Sequence, residues 1–343
     1  MKIKLTHRER IENCLAGSRL DRIPIAFWRH FPVDDQDPYR LAAAVSQFQD
    51  AYQFDIIKVT SASSYCLRDW GILDEWRGNW EGTRVYTNKI IENPEDWLKL
   101  PLLQPSQGIL RDQLTCLKIL TKKYGHDTPI LPTIFSPLAQ AKHLVGGQEL
   151  LVHLRHFPDA LHKGLQIITD TTVAYIEAAC RVDISGIFYA IQHANYQLLS
   201  EEEYCSFGAY YDLQILEAAN KLWLNLCHIH GENIMFNMIS TYPVQVFNWH
   251  DRQTPPSLDQ AQLIVAGVVC GGLQQWNTMA IGTPVDVANE AAQAIQSTNG
   301  KRLILGTGCV LPIITPHGNC LLYTSDAADD LLCVDLGGRR LIN

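Results

Sequence analysis

Residues 222–249 read LWLNLCHIHGENIMFNMISTYPVQVFNW. Two apolar runs, LWLNLCHI (222–229) and VQVFNW (244–249), flank a polar turn and a short apolar segment. Short, nearly continuous apolar runs bounded by turn residues are what strands buried on both faces look like, as in a parallel sheet. Outward from this stretch the pattern recurs six times: IPIAFW (23–28), FDIIKVT (54–60), PILPTIF (129–135), SGIFYAI (185–191), GVVCGG (267–272) and RLILGTG (302–308). Between most of these runs lie Ala- and Leu-rich segments with helical periodicity, such as PYRLAAAVSQFQDAY, DALHKGLQIITDTTVAYIEAAC and PVDVANEAAQAIQS. Strands alternating with helices imply βα units, and eight strands suggest closure into an α/β (β/α)₈ TIM barrel. An opening helix, HRERIENCLAG, is announced by Thr6 and Glu9 as a capping box.

The interval 60–128 is long for one βα connection and contains DWGILDEWRGNWEGTRVYTNKIIENPEDWLKLPLL. It reads as an inserted lid or hairpin at the barrel mouth after strand two, not as a second domain. One barrel is therefore expected over residues 1–319. Trp70, Trp76, Trp80 and Trp97 in the insert either stack on a ligand or pack the lid. The last 24 residues, CLLYTSDAADDLLCVDLGGRRLIN (320–343), break the pattern. Thr315 and Pro316 announce a helix, yet an acidic cluster and a Gly-Gly pair follow. This tail resembles translated adapter read-through, so the natural sequence is expected to diverge near Asn319.

Composition narrows the function. The 343 residues are 47% hydrophobic and 19% charged, too apolar for a disordered chain. No uncharged apolar stretch reaches the length of a membrane span, and the N-terminus lacks an apolar signal core. A cytoplasmic enzyme with a small-molecule substrate is the expectation, and a homodimer is compatible with it. The net charge of −8 argues against a nucleic-acid partner. The ten Cys are scattered and read as reduced thiols.

In such barrels chemistry sits at the C-terminal ends of the strands. Here those ends deliver His30, His193, His228, His230 and His250, with Cys309 after the last strand. His228 and His230 are two apart, a spacing that places both on one face of a strand. With Cys309 they make a three-donor zinc set with an open fourth position. Glu232 is a candidate fourth or supporting group, and adjacent Cys227 alternates into packing. The competing reading is two polar rim histidines and a small buried Cys. Arg29, with His30, suits an anionic substrate group, or else pairs with Asp34, Asp35 or Asp37. Gln192, His193, Trp249 and His250 are expected to line the pocket. Gly271–Gly272 permits either close ligand approach or a tight turn. No GxGxxG, P-loop or GxSxG motif appears, so nucleotide binding and serine hydrolysis lack support.

The segments THRERIENCLAG…DRIPIAFWRH, FDIIKVTSASSYCLRDWG, TIFSPLAQAKHLVGG, GIFYAIQHANYQLLSEEEY, LCHIHGENIMF and RLILGTGCVLPIITPHGN together resemble the uroporphyrinogen decarboxylase (URO-D) superfamily. The resemblance spans about residues 5–319 and implies a TIM barrel. The decarboxylase's own residues are not matched. Its Arg-rich first loop corresponds to Arg29-His30-Phe31-Pro32-Val33, and its essential Asp, Tyr and His fall near Ala62, Lys142 and Thr307. The rim is more similar to the zinc-dependent corrinoid or thiol methyltransferases of the superfamily, which carry His-x-Cys-Gly after strand five and Cys after strand eight. The resemblance thus implies zinc on His228, His230 and Cys309. It also implies a methyl group taken from methylcobalamin, on a separate corrinoid protein, and passed to a small thiol. The alternatives are cofactor-free decarboxylation of uroporphyrinogen III in porphyrin biosynthesis, and a non-catalytic barrel that binds tetrapyrrole or cobalamin.

Overall fold

A computed structural model describes residues 4–322. Ten strands run in chain order: β1 Ile25–Ala26, β2 Ile57–Val59, β3 Asp74–Glu75, β4 Val85–Tyr86, β5 Ile130–Phe135, β6 Phe188–Ile191, β7 Leu226–Ile229, β8 Val246–Trp249, β9 Val268–Leu273 and β10 Leu303–Thr307. Eight of them form one parallel sheet in the order β1-β10-β9-β8-β7-β6-β5-β2. Each contains part of one apolar run read from the sequence. The circuit is completed between β1 and β2, where the Asp55 amide donates to the Ile25 carbonyl at 2.8 Å. The Ile25 amide in turn donates to the Asp55 carboxylate at 2.7 Å. The fold is a (β/α)₈ TIM barrel with its helices outside.

Asp55 is also the charge centre of the barrel floor. It is fully buried and accepts from Arg10 at 2.6 Å, Arg22 at 2.6 Å and His7 at 2.8 Å. Arg10 comes from the opening helix, His7–Leu15, whose Thr6–Glu9 capping box is formed as read. That helix therefore plugs the end of the barrel opposite the mouth.

Strand alternation sorts the side chains into two sets. Trp28, Ile56, Leu131, Phe188, Leu226, Val246, Val268 and Ile304 pack together inside the barrel. Phe27, Ile57, Tyr189, Cys227, Ile229, Phe247, Trp249 and Leu305 pack outward against the helices. The same parity sends Lys58, His228 and Asn248 inward. Long helices cover the outside where good caps start them. Asp37 accepts from the amides of Tyr39 and Arg40, both at 2.9 Å, at the head of helix Pro38–Tyr52. Thr283 and Asp286 box the head of helix Pro284–Ser297.

The insert after β2 holds the antiparallel hairpin β3–β4, with Asp74 opposite Tyr86. Its tip lies on the barrel mouth. Gly82 has φ +79°, and a Cβ there would stand 2.5 Å from the His30 Cβ. Trp276 donates from Nε1 to Glu81 at 2.8 Å, fastening the tip to the far rim. Of the insert's tryptophans, Trp97 is fully buried and Trp70 donates to the Pro101 carbonyl at 2.8 Å, so both are packing residues. Trp80 is exposed. At the end of the described chain, a short helix spans His317–Leu321, capped by Pro316 rather than Thr315. The divergent tail from residue 323 onward lies outside the described residues. No described helix is long and apolar enough to cross a membrane.

Candidate metal centre

Four side chains converge at the C-terminal mouth. His228 ends β7 on the inward face, and His230 follows one residue past the strand. His250 follows β8, and Cys309 follows β10. One donor atom from each lies within 4.8 Å of all the others. Cys309 Sγ is 3.9 Å from His228 Nε2 and 3.8 Å from His230 Nδ1. His250 Nε2 is 3.4 Å from His230 Nδ1. Around a tetrahedral zinc with Zn–N of about 2.0–2.1 Å and Zn–S of about 2.3 Å, N···N edges come to ~3.4 Å and N···S edges to ~3.6 Å. These three spacings are within a few tenths of an ångström of that set and the other pairs lie within 4.8 Å, so the donor set suits the ion with a small inward adjustment of its side chains.

The donors are also aimed. Asn248, inward on β8, donates its amide hydrogens to the carbonyls of Cys270 at 2.8 Å and Thr307 at 3.0 Å. That fixes the amide's orientation, so Oδ1 faces His228 Nδ1 at 2.6 Å and accepts its proton. Nε2 of His228 is left with its lone pair toward Cys309. His250 is held from outside the cluster, with Nδ1 2.9 Å from Gln253 Oε1 and 3.4 Å from Gln275 Nε2, and Nε2 turned toward His230. Buried carbonyls and amides orienting a ligand imidazole are the usual outer support of metal-binding histidines.

Electrostatics favour metal-ready imidazoles. Burial, then the neighbouring His230 and His250, hold His228 well below its ordinary pKa. Crowding by the surrounding protein, then His250 and Lys142, lowers His230 to about 4, although it stands at the open edge of the group. Burial pushes the Cys309 thiol up to about 11. The histidines are neutral at pH 7, and Cys309 keeps its proton unless a cation replaces it. Gly308 makes the assembly geometrically possible. A Cβ at that position would stand 2.7 Å from the His250 Cα and 2.9 Å from the Trp249 carbonyl.

The remaining sequence candidates divide by parity. His30 and Gln192 extend the inward-facing positions of β1 and β6 into the mouth. His193 is buried just after β6, with Nδ1 lacking a hydrogen-bond partner among the described residues. His250 moves from the expected pocket lining into the donor group as its fourth member. Glu232, the expected fourth group, is exposed. Trp249 does not line the pocket. It is fully buried on the outward face, edge-on to Phe236, with Nε1 donating to the Pro256 carbonyl at 2.9 Å. Arg29 also shares the outward parity. Its guanidinium lies over Phe31 and Phe48 at 5.2 and 5.3 Å and donates to the Ile313 carbonyl at 3.4 Å. The aspartates offered as its partners are engaged elsewhere, Asp34 with Arg40, Asp35 with Arg84, and Asp37 at its helix cap. Gly271 and Gly272 serve packing. Asp251 accepts the Gly272 amide at 3.1 Å, and a Cβ on Gly272 would stand 2.6 Å from Ala294.

Three residues around the cluster escaped the sequence reading in these roles: Asn248 as the orienting group, and Lys58 and Lys142 as mouth cations. For two of them a signal existed. A polar residue at an inward position of an otherwise apolar strand, Asn248 in VQVFNW and Lys58 in FDIIKVT, marks the floor of a site.

The chain belongs to the uroporphyrinogen decarboxylase (URO-D) family, whose profile matches residues 6–325. Among characterised relatives it is similar to the methylcobamide:CoM methyltransferases of Methanosarcina acetivorans (25% identical over 235 residues) and Methanosarcina mazei (24% over 234 residues). It is also similar to a methylated-thiol–coenzyme M methyltransferase of Methanosarcina mazei, 27% identical over 245 residues. These alignments cover 67, 67 and 69% of this chain and 67, 66 and 63% of the respective relatives. A solved methyltransferase from Methanosarcina mazei superposes with a TM-score of 0.82 at 18% identity, over 96% of this chain and 99% of that one. A B12-independent methionine synthase from Shewanella shares the fold more distantly, with a TM-score of 0.59 at 12% identity over 91% of this chain and 93% of that one.

Proposed function

We propose that this protein is a zinc-dependent methyltransferase that moves a methyl group from a corrinoid donor to a small thiol. The observation that carries the reading is the group of three imidazoles and one thiol, spaced for a tetrahedral ion and oriented by Asn248 and Gln253. His228, His230 and Cys309 would hold the zinc, with His250 as a fourth donor that an incoming thiol would displace to open a position on the ion. A zinc ion there would lower the pKa of a thiol acceptor, so that thiolate would be available at neutral pH. The names of the relatives, which pair methylcobamide or a methylated thiol with coenzyme M, support methyl transfer and the donor class.

The chain's own residues prepare the transfer. Asn248 keeps His228 in one tautomer, and burial keeps the imidazoles neutral. The hairpin tip at Gly82 and Glu81 roofs the mouth and limits water around the reacting sulfur. In the transfer the thiol would lose its proton to solvent, a carbon–sulfur bond would form, and the electron pair of the broken cobalt–carbon bond would stay with the corrinoid. The donor is expected on a separate corrinoid protein that docks at the mouth.

The test incubates zinc-loaded protein with methylcobalamin and 3-mercaptopropionate. The methylcobalamin spectrum reports donor loss, and mass spectrometry reports the S-methyl product. The reading expects both, and expects Cys309→Ala to abolish them. Stoichiometric zinc with no transfer to any small thiol overturns the methyl-transfer reading.

A further inference from the structure

The hairpin β3–β4 is held firmly at its base and lightly at its tip. At the base, Arg84 lies between two buried carboxylates, with Nε 2.9 Å from Asp74 Oδ1 and Nη1 3.2 Å from Asp35 Oδ1. It also donates to the Pro32 carbonyl at 3.0 Å. Tyr86 stacks on His143 with ring centres 4.0 Å apart and donates to Ser63 at 2.9 Å. Pulling the Arg84 triad apart would leave charges buried and unpaired. The tip has no such anchor of its own. Residues 77–80 are exposed, and Trp80 keeps 61% of its surface in solvent. Gly78 and Gly82, both at φ +79°, bracket this stretch. A segment fixed at its base, with few buried apolar contacts and a glycine at each end, opens locally while the fold around it stays intact.

Two fastenings hold the tip over the mouth. Trp276 donates from Nε1 to Glu81 at 2.8 Å, and the Ile313 amide donates to the Trp80 carbonyl at 2.7 Å. The rings of Trp80 and Trp276 stand 6.4 Å apart. Both fastenings end on loops that serve the donor cluster. Gln275, beside Trp276 and 4% exposed, has Nε2 3.4 Å from His250 Nδ1. Ile313 lies four residues past Cys309, on a stretch tied to the end of β1 by the Leu311 amide, which donates to the Trp28 carbonyl at 2.8 Å. The tip thus straps together the loop that touches His250 and the loop that carries Cys309, although the two follow different strands.

We propose that residues 76–82 are a gate latched by Trp276 on Glu81, and that in its closed position the gate braces the two loops that set His250 and Cys309. Ligands reach the cluster when the latch opens. The inference rests on the donor cluster as a zinc site and not on methyl transfer.

Trp276→Phe keeps a ring at the latch and removes its donor. In metal-free protein, peptide-resolved mass spectrometry follows alkylation of Cys309 by iodoacetamide, with the exposed Cys205 as reference, and amide exchange at Ile313 follows the second fastening. Both should rise about fivefold in Trp276→Phe, the weight of one net hydrogen bond in an opening equilibrium, while Cys205 reacts as before. Glu81→Gln, which keeps an acceptor, should stay near the parent. Glu81→Ala combined with Trp276→Phe should open no further than either alone. If the closed gate braces the donors, zinc must favour closure in return. Saturating zinc should therefore slow exchange of the Trp276 indole hydrogen and of the Ile313 amide about tenfold in the parent. Unchanged Cys309 alkylation and Ile313 exchange in Trp276→Phe overturn the gate. Zinc that leaves both hydrogens exchanging at the metal-free rate, or a protein that takes up no zinc, overturns the bracing. The expected results without any methyl transfer support the gate and count against the methyltransferase reading alone.

Discussion

Replacing Asn248 by Leu removes the orienting group and keeps its volume. The amide makes three contacts, at 2.6 Å to His228 and at 2.8 and 3.0 Å to the Cys270 and Thr307 carbonyls. In the variant, His228 loses its Nδ1 acceptor and is free to present either nitrogen to Cys309. Loss of an outer-shell partner lowers metal affinity by about 10- to 100-fold, or roughly 1.4–2.7 kcal/mol. Two buried strand carbonyls also lose their side-chain donor, which costs about 1 kcal/mol each in stability. Zinc affinity is read by competition with a chromophoric chelator, and stability is read by urea denaturation. The account expects a weaker site on a less stable but folded barrel. A zinc affinity within threefold of the parent, on a folded protein, would refute the claim that Asn248 sets the His228 tautomer.

Gly308→Ala places a methyl group 2.7 Å from the backbone of His250, where no side-chain rotation relieves it. Zinc affinity should fall at least tenfold with little change in fold by circular dichroism; retained affinity would mean that Cys309 does not depend on this close approach. Asp55→Asn leaves the buried guanidinium groups of Arg10 and Arg22 without their counter-charge and should cost roughly 3–5 kcal/mol in urea denaturation; a loss below 1 kcal/mol contradicts the role given to this network. Asp212 accepts from Tyr189, Tyr204 and Tyr242 at 2.5, 2.5 and 2.9 Å, yet burial raises it from 3.8 to about 6. Between those values the unfolded chain has released the proton and the folded chain has not. Stability relative to Asp212→Asn should therefore fall as pH rises from about 4 to about 6, by a total on the order of 3 kcal/mol, and then level off. A rising difference over that window would show that the tyrosine donors outweigh burial.

Much of the architecture was open to reading because it rests on local chemistry. Helices Pro38–Tyr52 and Pro284–Ser297 coincide with the segments read from the sequence, since Asp37 with Pro38, and Thr283 with Pro284 and Asp286, fix where they begin. The apolar runs around β7 and β8 identified strands for the same reason. The donor cluster was legible for three of its four members, because His228, His230 and Cys309 fall at strand ends that a barrel gathers at one rim. What stayed hidden depends on which way a side chain points. Arg29 shares parity with outward Phe27, and Trp249 with outward Phe247, so both left the mouth although their positions along the chain suited it. Lys142 comes from helix Pro137–Val145, which follows β5, and its influence on His193 and His230 is something no spacing in the sequence encodes.

The central claim is a zinc ion on three imidazoles and one thiolate. Elemental analysis combined with zinc K-edge absorption on the purified protein tests it most directly. The account predicts one zinc per chain, a first shell of nitrogens with a single sulfur near 2.3 Å, and loss of that sulfur in Cys309→Ala. Protein without stoichiometric zinc, or a zinc environment unchanged by Cys309→Ala, would contradict it.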